Sequence, residues 1–463
     1  MKLDLATTLA KGRFRYMAIV EAITESINNG RLQPGERLPA QRDLAQQLGI
    51  APGTVTRAYA EAERRGLISG KVGSGTFVSR FPDAGASPAP ASERTHPIDL
   101  TLNRLHTGDG GVSQLALTLE RLLEPSVLTR ISDYQLGADR PEYREAGSRW
   151  LNRKGVTTTP EQTIICNGLQ HGLAVVFAAL ATPGDVVLTE GLNYPGIKLL
   201  DGIFHLEIRG LPMDGFGLRP DAIEKECKSG KARFLICTPT VHNPTNITMP
   251  VERRREVAEI ARKHNLLVIE LDEINGLLPT QGIQPLGEFA LERSCFITST
   301  WKTSEAGIAI GYIAAPHDLV AKLTGAVHAT TWMPSPLLPE IVTLWLNDGT
   351  AEKISEWHHQ EAGVRQKMAR RILGKFAGLL DPLSYNIWLD VPEPWRLEHF
   401  VSQLYRHGVL VTPAEAFVVG KTVAPRAVRI NLGGVGDRTL VERGLCAITD
   451  VLAEGPQFER IIA

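Results

Sequence analysis

Three short apolar runs in the second half of the chain are each followed by polar residues that could do chemistry. The runs and the residues after them are 234–237 with Asn243, 266–271 with Asp272, and 295–297 with Ser299 and Lys302. A lysine amine can form a Schiff base with a carbonyl compound, and a carboxylate can keep a bound ring nitrogen protonated. Open α/β sheets place such groups at the carboxyl ends of their strands. The pattern predicts a ligand site at one edge of a sheet.

A fourth run, 163–165, is followed by Asn167 and then by a helix that begins with Gly168, Leu169 and Gln170. Backbone amides at a helix start bind phosphate through their geometry and the helix dipole, and the Ser299 hydroxyl would add a donor. An amine, a carboxylate, an amide side chain and a phosphate cradle are the parts of a pyridoxal 5'-phosphate site. From the residues alone, Glu270 or Glu273 could take the role of Asp272.

From residue 98 to about 452 the order of motifs resembles the fold type I aminotransferases. Ser299-Thr300-Trp301-Lys302 is similar to the family's Ser-x-x-Lys stretch, which implies that Lys302 forms the Schiff base. The family's Asp-x-x-Tyr motif selects Asp272 as the partner of the ring nitrogen. The resemblance implies Asn243 as a donor to the ring's 3-oxygen and residues 168–170 as the phosphate cradle.

The same resemblance implies further site residues and a homodimer. Tyr194 would stack on the cofactor ring, and Tyr134 would reach the phosphate bound by the neighbouring subunit. Arg429 would take a ligand carboxylate by a bidentate fork. Two positions differ from the family: Asn275 replaces the tyrosine that bonds the 3-oxygen, and Ala309 replaces an arginine for the phosphate. We expect these changes to weaken aminotransferase activity.

Alternating strand-like runs and helical patterns after residue 97 predict an α/β domain with a mostly parallel sheet. Before residue 80 the pattern differs: two short helices follow one longer helix, and a hairpin encloses the glycine-rich stretch 70–75. Residues 81–97, rich in Pro, Ala and Ser, separate the two patterns and predict a linker. We therefore expect a winged helix-turn-helix in residues 1–80 and an aminotransferase-like domain in residues 98–463.

Charge and motif order both point to double-stranded DNA as the partner of the first domain. Residues 1–80 contain twelve Lys and Arg against seven Asp and Glu, although the whole chain has a net charge of -1. Small polar and basic side chains lie in the first turns of the third helix, which in a winged helix meets base edges. The base contacts expected there are Thr54, Thr56, Arg57 and Tyr59, and the phosphate contacts are Arg42 and Lys71.

The segment LQPGERLPAQRDLAQQLGIAPGTVTRAYAEAERRGLISGKVGSGTFV resembles the winged helix of the GntR superfamily of bacterial regulators. It differs at Ala51 and Pro52, where many relatives carry Ser and Arg, so one basic contact and one helix-capping hydroxyl are lost. A GntR-type winged helix followed by an aminotransferase-like domain is the MocR arrangement.

The composition is typical of a reduced cytoplasmic protein. The five cysteines lie far apart, without the short spacing of a zinc or redox site, so we expect no bound metal. No segment is long and apolar enough to be a signal peptide or membrane span. We expect a regulator that senses an amino acid, an amine or a compound related to pyridoxal phosphate. The alternatives are an active aminotransferase, and a repressor that responds to the cofactor itself or to another small molecule.

Overall fold

The computed structural model describes residues 15–28, 31–32, 36–64, 67–71, 75–78, 97–105, 108–132, 140–272, 283–302 and 306–456. The chain forms two compact units, residues 1–92 and 93–463, and their boundary falls within the predicted linker. Within the described ranges, no helix has the length and apolar character that crossing a membrane requires.

The first unit is a winged helix, as the sequence predicts. Its helices and strands are α1 (Arg15–Asn28), α2 (Gln41–Leu48), α3 (Pro52–Arg64), β1 (Ile68–Lys71) and β2 (Gly75–Val78). β1 and β2 pair antiparallel, with Ile68 opposite Val78. Gly49, at a φ of 64°, ends α2 in the left-handed conformation that glycine adopts without strain. Apolar residues at helical spacing, such as Ile19 and Ile23 in α1, pack against α2 and α3 in one small core.

The second unit is larger and contains alternating helices and strands. Its helices are α4 (Gly108–Leu122), α5 (Pro125–Ser132), α6 (Pro141–Arg153), α7 (Gly168–Leu180), α8 (Gly196–Phe204), α9 (Pro220–Cys227), α10 (Val251–Lys263), α11 (His317–Thr331), α12 (Leu337–Asp348), α13 (Thr350–Leu373), α14 (Leu397–Arg406) and α15 (Arg438–Glu454). Its strands are β3 (Ile98–Asp99), β4 (Thr163–Cys166), β5 (Val186–Glu190), β6 (Glu207–Leu211), β7 (Met213–Asp214), β8 (Gly217–Leu218), β9 (Ala232–Cys237), β10 (Leu267–Asp272), β11 (Ser294–Ser299), β12 (Gly311–Ala314), β13 (Asn386–Asp390), β14 (Val409–Leu410), β15 (Thr412–Pro413) and β16 (Ala427–Asn431).

Seven strands form the main sheet in the order β4-β12-β11-β10-β9-β5-β6. Among the described strands of this sheet, only β12 runs antiparallel to its neighbours, so the sheet is mostly parallel, as predicted. Both faces are covered by apolar clusters, one with α7, α8 and α11 and the other with α6 and α12. Apart from the edge strand β6, the strands are mostly apolar and buried, which is typical of parallel sheets.

A smaller antiparallel sheet, β13-β16-β15, packs with α13, α14 and α15 around a separate core. Phe400 and Ile430 lie in that core. This sheet presents Arg429, on β16, to residues of the main sheet's carboxyl edge.

Candidate functional site

The parallel strands of the main sheet end at one edge, and the predicted cofactor residues follow those ends. β4 leads to Gly168, β9 to Asn243 and β11 to the turn Thr300–Lys302, while β10 and β11 themselves end with Asp272 and Ser299. The register places Asp272 beside Thr298 of β11. Asn243, Asp272 and Ser299 are all buried, at 1%, 5% and 7% exposure. The edge is therefore lined by buried polar groups, which need partners or a ligand.

The start of α7 forms a cradle of backbone amides. Gly168 has a φ of 82°, and an added Cβ there would meet open space. Across the strand ends, Gly311 approaches so closely that a Cβ on it would lie 2.7 Å from the Gly168 carbonyl oxygen. Leu169 contributes only its backbone, because its side chain packs in the core. These features hold the amides of residues 168–170 at the helix start, where an anion is favoured.

The His171 side chain is hydrogen-bonded to the backbone amide just before this cradle. Its Nδ1 accepts the Asn167 backbone N–H at 3.0 Å, and its Nε2 lies 2.8 Å from the Thr330 hydroxyl. That hydroxyl donates to the Ala326 carbonyl, so His171 Nε2 is the donor in their contact. Burial lowers the pKa of His171, which favours this neutral imidazole. His171 therefore positions the helix start as a neutral ring and adds no positive charge there.

Asp272 is held from two sides. Its backbone oxygen accepts a hydrogen bond from Thr298 Oγ1 at 2.8 Å. Its carboxylate lies 3.5 Å from Nζ of Lys154, a buried lysine at the end of α6. The neighbouring acid on the same strand face, Glu270, instead accepts the Leu286 and Gly287 amides. Glu270 is thus committed to the backbone of residues 286–287, which supports Asp272 as the carboxylate of the site.

Asn243 and Arg429 meet although 186 residues separate them. Arg429 Nη1 donates to Asn243 Oδ1 at 3.1 Å, and its Nη2 donates to the Thr101 carbonyl oxygen at 2.9 Å. The guanidinium carbon lies 4.8 Å from the centre of the Phe417 ring. Since Arg429 is 6% exposed, this arginine is a buried and oriented cation beside the predicted 3-oxygen donor. A planar guanidinium in this position can recognise a carboxylate.

The loop that carries Tyr194 depends on Glu190, which is not among the predicted site residues. Asn193 Nδ2 donates to Glu190 Oε2 at 2.7 Å, and Asn193 Oδ1 accepts the Tyr194 amide. Glu190 ends β5, is 1% exposed and also accepts the Thr238 amide at 2.8 Å. The sequence signal for Glu190 is an acid that ends a strand shortly before Asn-Tyr-Pro-Gly. The aromatic ring of Tyr194 lies over Gly196, where a Cβ would come within 2.2 Å.

The predicted DNA-binding side chains divide into exposed and buried ones. Arg42, Thr56 and Arg57 are exposed, and Thr54 is partly exposed. Tyr59 is different, since it is 3% exposed and its hydroxyl donates to the Pro39 carbonyl oxygen at 2.9 Å. It packs in the core of the winged helix, so its prediction as a base contact is wrong. Helical spacing places it on the inner face of α3.

Other contacts refine the remaining DNA surface. The Thr56 hydroxyl donates to Gln41 Oε1 at 2.8 Å, and the Arg57 guanidinium lies 4.3 Å from the centre of the Tyr16 ring. Arg37, which is not among the predicted DNA contacts, is exposed and lies against Gly75 at the start of the second wing strand. The winged helix thus presents Arg42, Arg57 and Arg37 as cations from three different segments.

Family models cover both units. The model "Aminotransferase class I and II" matches residues 96–448, and "Bacterial regulatory proteins, gntR family" matches residues 15–78. The chain belongs to the aminotransferase class I and II family. Joined to its GntR segment, it has the MocR arrangement.

Relatives support both assignments. The HTH-type transcriptional regulator YdeF of Bacillus subtilis is 29% identical, over 94% of each chain. The vitamin B6 salvage pathway transcriptional repressor PtsJ of Salmonella typhimurium is 24% identical, over 90% of this chain and 94% of its own. An archaeal alanine:glyoxylate aminotransferase structure superposes with a TM-score of 0.69 at 24% identity, over 78% of this chain and 91% of its own, and shows the same fold.

Two predicted residues lie outside the described part of the chain, and two others are placed by their backbone alone. Tyr134 and Asn275 lie outside the described residues. Lys302 is the last residue of the turn Thr300–Lys302, directly after β11, and Lys71 is the last residue of β1. The backbone therefore brings Lys302 to the same sheet edge as Asp272 and Asn243.

Proposed function

We propose that this transcription regulator binds pyridoxal 5'-phosphate at the carboxyl edge of its main sheet and an amino ligand beside it. The observation that carries the proposal is the convergence there of Asp272, Asn243 and Arg429, three buried polar residues from distant parts of the chain. The bound cofactor would supply a carbonyl carbon that captures amines and a ring that withdraws electrons.

The donor set suits this cofactor. The amides of residues 168–170 and the Ser299 hydroxyl would hold the phosphate, and Asp272 would face the ring nitrogen. Lys302 would hold the cofactor covalently, Asn243 would donate to the 3-oxygen, and Tyr194 would stack on the ring. The fit is supported by the glycine-lined start of α7, where open space lies beside Gly168.

Arg429 would select the ligand's charge. Its guanidinium is oriented by Asn243 and Thr101 before any ligand binds, so a carboxylate could be bound at a small entropic cost. An amino acid would use both parts of the site: its amine would meet the cofactor held by Lys302, and its carboxylate would bind Arg429. An amine without a carboxylate, or a compound related to pyridoxal phosphate, would use only part of the site.

DNA binding would use the exposed cations Arg42 and Arg57, with Thr54 and Thr56 on base edges and Lys71 on a phosphate. A homodimer, in which Tyr134 reaches the partner's phosphate site, would place two winged helices on one operator in the cytoplasm. Ligand and DNA are then coupled if the ligand binds more tightly to one arrangement of the winged helices.

An active aminotransferase is the second candidate, because Lys302, Asp272 and Arg429 are all present. It predicts steady turnover of an amino donor with a 2-oxo acid. Ala309 and Asn275 count against it, since each removes a cofactor contact expected from the family. Losing one charge-assisted phosphate contact costs about 1.5 to 3 kcal/mol.

The test combines absorbance with operator binding in purified full-length protein. Wild type is titrated with pyridoxal phosphate, reduced with borohydride and digested, and Lys302→Ala is compared with Lys322→Ala, an exposed lysine on α11. The proposal expects a near-visible band and a labelled Lys302 peptide in wild type and in the Lys322 control, and neither in Lys302→Ala. A ligand response on DNA that survives in Lys302→Ala would contradict it, and steady turnover would favour the second candidate.

A further inference from the structure

Lys154 is a buried lysine that none of the roles above uses. It follows the last residue of α6, and its side chain is 3% exposed. Sequence alone places it in a basic stretch, Arg153-Lys154, at a helix end, where lysines usually extend into water. Here Nζ turns inward, to 4.7 Å from the centre of the Trp150 ring and 3.5 Å from Asp272 Oδ2.

Among the residues that the structure describes, titratable groups on three elements face this pair. Lys154 faces Asp272 from β10 and lies near His359 of α13, whose pKa is lowered by burial and by the lysine's charge. Asp272 lies near Glu270 on its own strand and Arg254 of α10. Burial lowers the pKa of Lys154, and the Asp272 carboxylate opposes that effect. Because a buried cation is costly without a partner, the two side chains depend on each other.

We propose that Lys154 is a positioning residue that holds the Asp272 carboxylate and offsets its charge, so that the ring nitrogen of bound pyridoxal phosphate is more weakly protonated. The inference rests on the proposed cofactor site. It explains how an aminotransferase-like site can hold an amino ligand without rapid turnover.

The physical reason is competition for one negative charge. A carboxylate stabilises a protonated ring nitrogen by its charge, and a cation on the same carboxylate reduces that stabilisation. The ring withdraws electrons most strongly when its nitrogen is protonated. A site with Lys154 is therefore suited to binding an amine and reporting it, since the electron demand that drives turnover is reduced.

The first test measures the pair without cofactor. All seven tryptophans lie after residue 149, so urea unfolding followed by tryptophan fluorescence reports the second unit of the full chain. Lys154→Met, Asp272→Asn and the double variant form a cycle. If the two substitutions acted independently, their effects on the unfolding equilibrium constant would multiply. We expect the unfolding equilibrium constant of the double variant to be at least tenfold smaller than that product. Multiplicative effects would overturn the direct pairing.

The second test measures the protonation of the ring nitrogen. An effect of the Lys154 charge would change this protonation, whereas a merely structural role would not. Protein loaded with ring-¹⁵N pyridoxal phosphate is titrated with acid and base while the nitrogen chemical shift is followed. We expect Lys154→Met to raise the pH at which this nitrogen loses its proton by about one unit or more. Arg153→Met removes the neighbouring exposed charge, whose partner is Glu352, and serves as the control that leaves the titration unchanged.

The outcomes distinguish this inference from the proposed function. Cofactor binding with the same nitrogen titration in wild type and Lys154→Met overturns the inference and leaves the proposed function standing. Wild type that takes up no cofactor overturns both. If Lys154→Met does not fold, Lys154→Gln replaces it, because glutamine keeps a donor to Asp272 without the charge, and the same upward shift is expected.

Discussion

Gly311→Ala should weaken cofactor binding although the residue is not predicted to touch the cofactor. Gly311 begins β12 directly across from Cys166, the last residue of β4. A Cβ there would lie 2.6 Å from Cys166 Sγ and 2.7 Å from the Gly168 carbonyl oxygen. Ordinary contacts begin at 3.4 Å, so the Gly168 backbone must move by about 0.7 Å.

That displacement is large for a hydrogen bond. An amide–phosphate bond of about 2.9 Å that lengthens by this amount leaves the hydrogen-bonding range. Losing one bond to a charged group costs about 1.5 to 3 kcal/mol, which corresponds to roughly 10- to 150-fold in affinity. We therefore expect Gly311→Ala to raise the dissociation constant for pyridoxal phosphate by at least tenfold.

The assay is an absorbance titration with pyridoxal phosphate, together with urea unfolding of the cofactor-free protein. Gly307→Ala is the matched control, since a Cβ at Gly307 meets nothing within 4 Å and the residue lies only four positions earlier. Wild-type cofactor affinity in Gly311→Ala, with the variant folded, would refute the cradle geometry at Gly168.

Four further substitutions test other parts of the molecule. Arg57→Ala should weaken operator binding at least tenfold and reduce its salt dependence, whereas Tyr59→Phe, which removes a buried hydrogen bond, should lower stability and leave DNA affinity unchanged in an anisotropy titration. Arg429→Lys keeps the charge but not the planar fork, so spectral titrations should show at least tenfold weaker binding of an amino acid and unchanged binding of its decarboxylated amine. Glu361 is hydrogen-bonded by Arg438, which lowers the pKa of the carboxyl to about 2. Its stabilisation is complete above its unfolded pKa of about 4.5 and is lost as the pH falls toward 2, so unfolding of Glu361→Gln should lack this acid-sensitive component. These expectations would be contradicted if Glu361→Gln and wild type were equally sensitive to acid. They would also be contradicted if Arg57→Ala and Tyr59→Phe changed DNA affinity equally.

Local pattern was enough to predict the order of the elements and the sheet edge at which these polar residues lie. Apolar runs followed by Asn243, Asp272 and Ser299 predicted strands that deliver polar groups at their ends, and the parallel sheet bears this out. The winged helix could also be predicted from sequence, because helical periodicity, the glycines that end helices and the hairpin are all encoded within short segments. Tyr59 shows the limit of such a pattern: membership of the recognition helix was clear, but its buried face depends on packing against α2 and the segment before it.

Contacts between distant segments could not be derived from sequence. Arg429 reaches Asn243 across 186 residues, and Lys154 reaches Asp272 across 118. No periodicity relates these positions, since each pair meets only after the sheet has aligned its strand ends and the helices have packed on its faces. Short sequence patterns were sufficient to place particular side chains at the ends of particular elements. That a helix-end lysine turns inward to a carboxylate follows from the complete fold, because burial and pairing of charge depend on which groups the fold excludes from water.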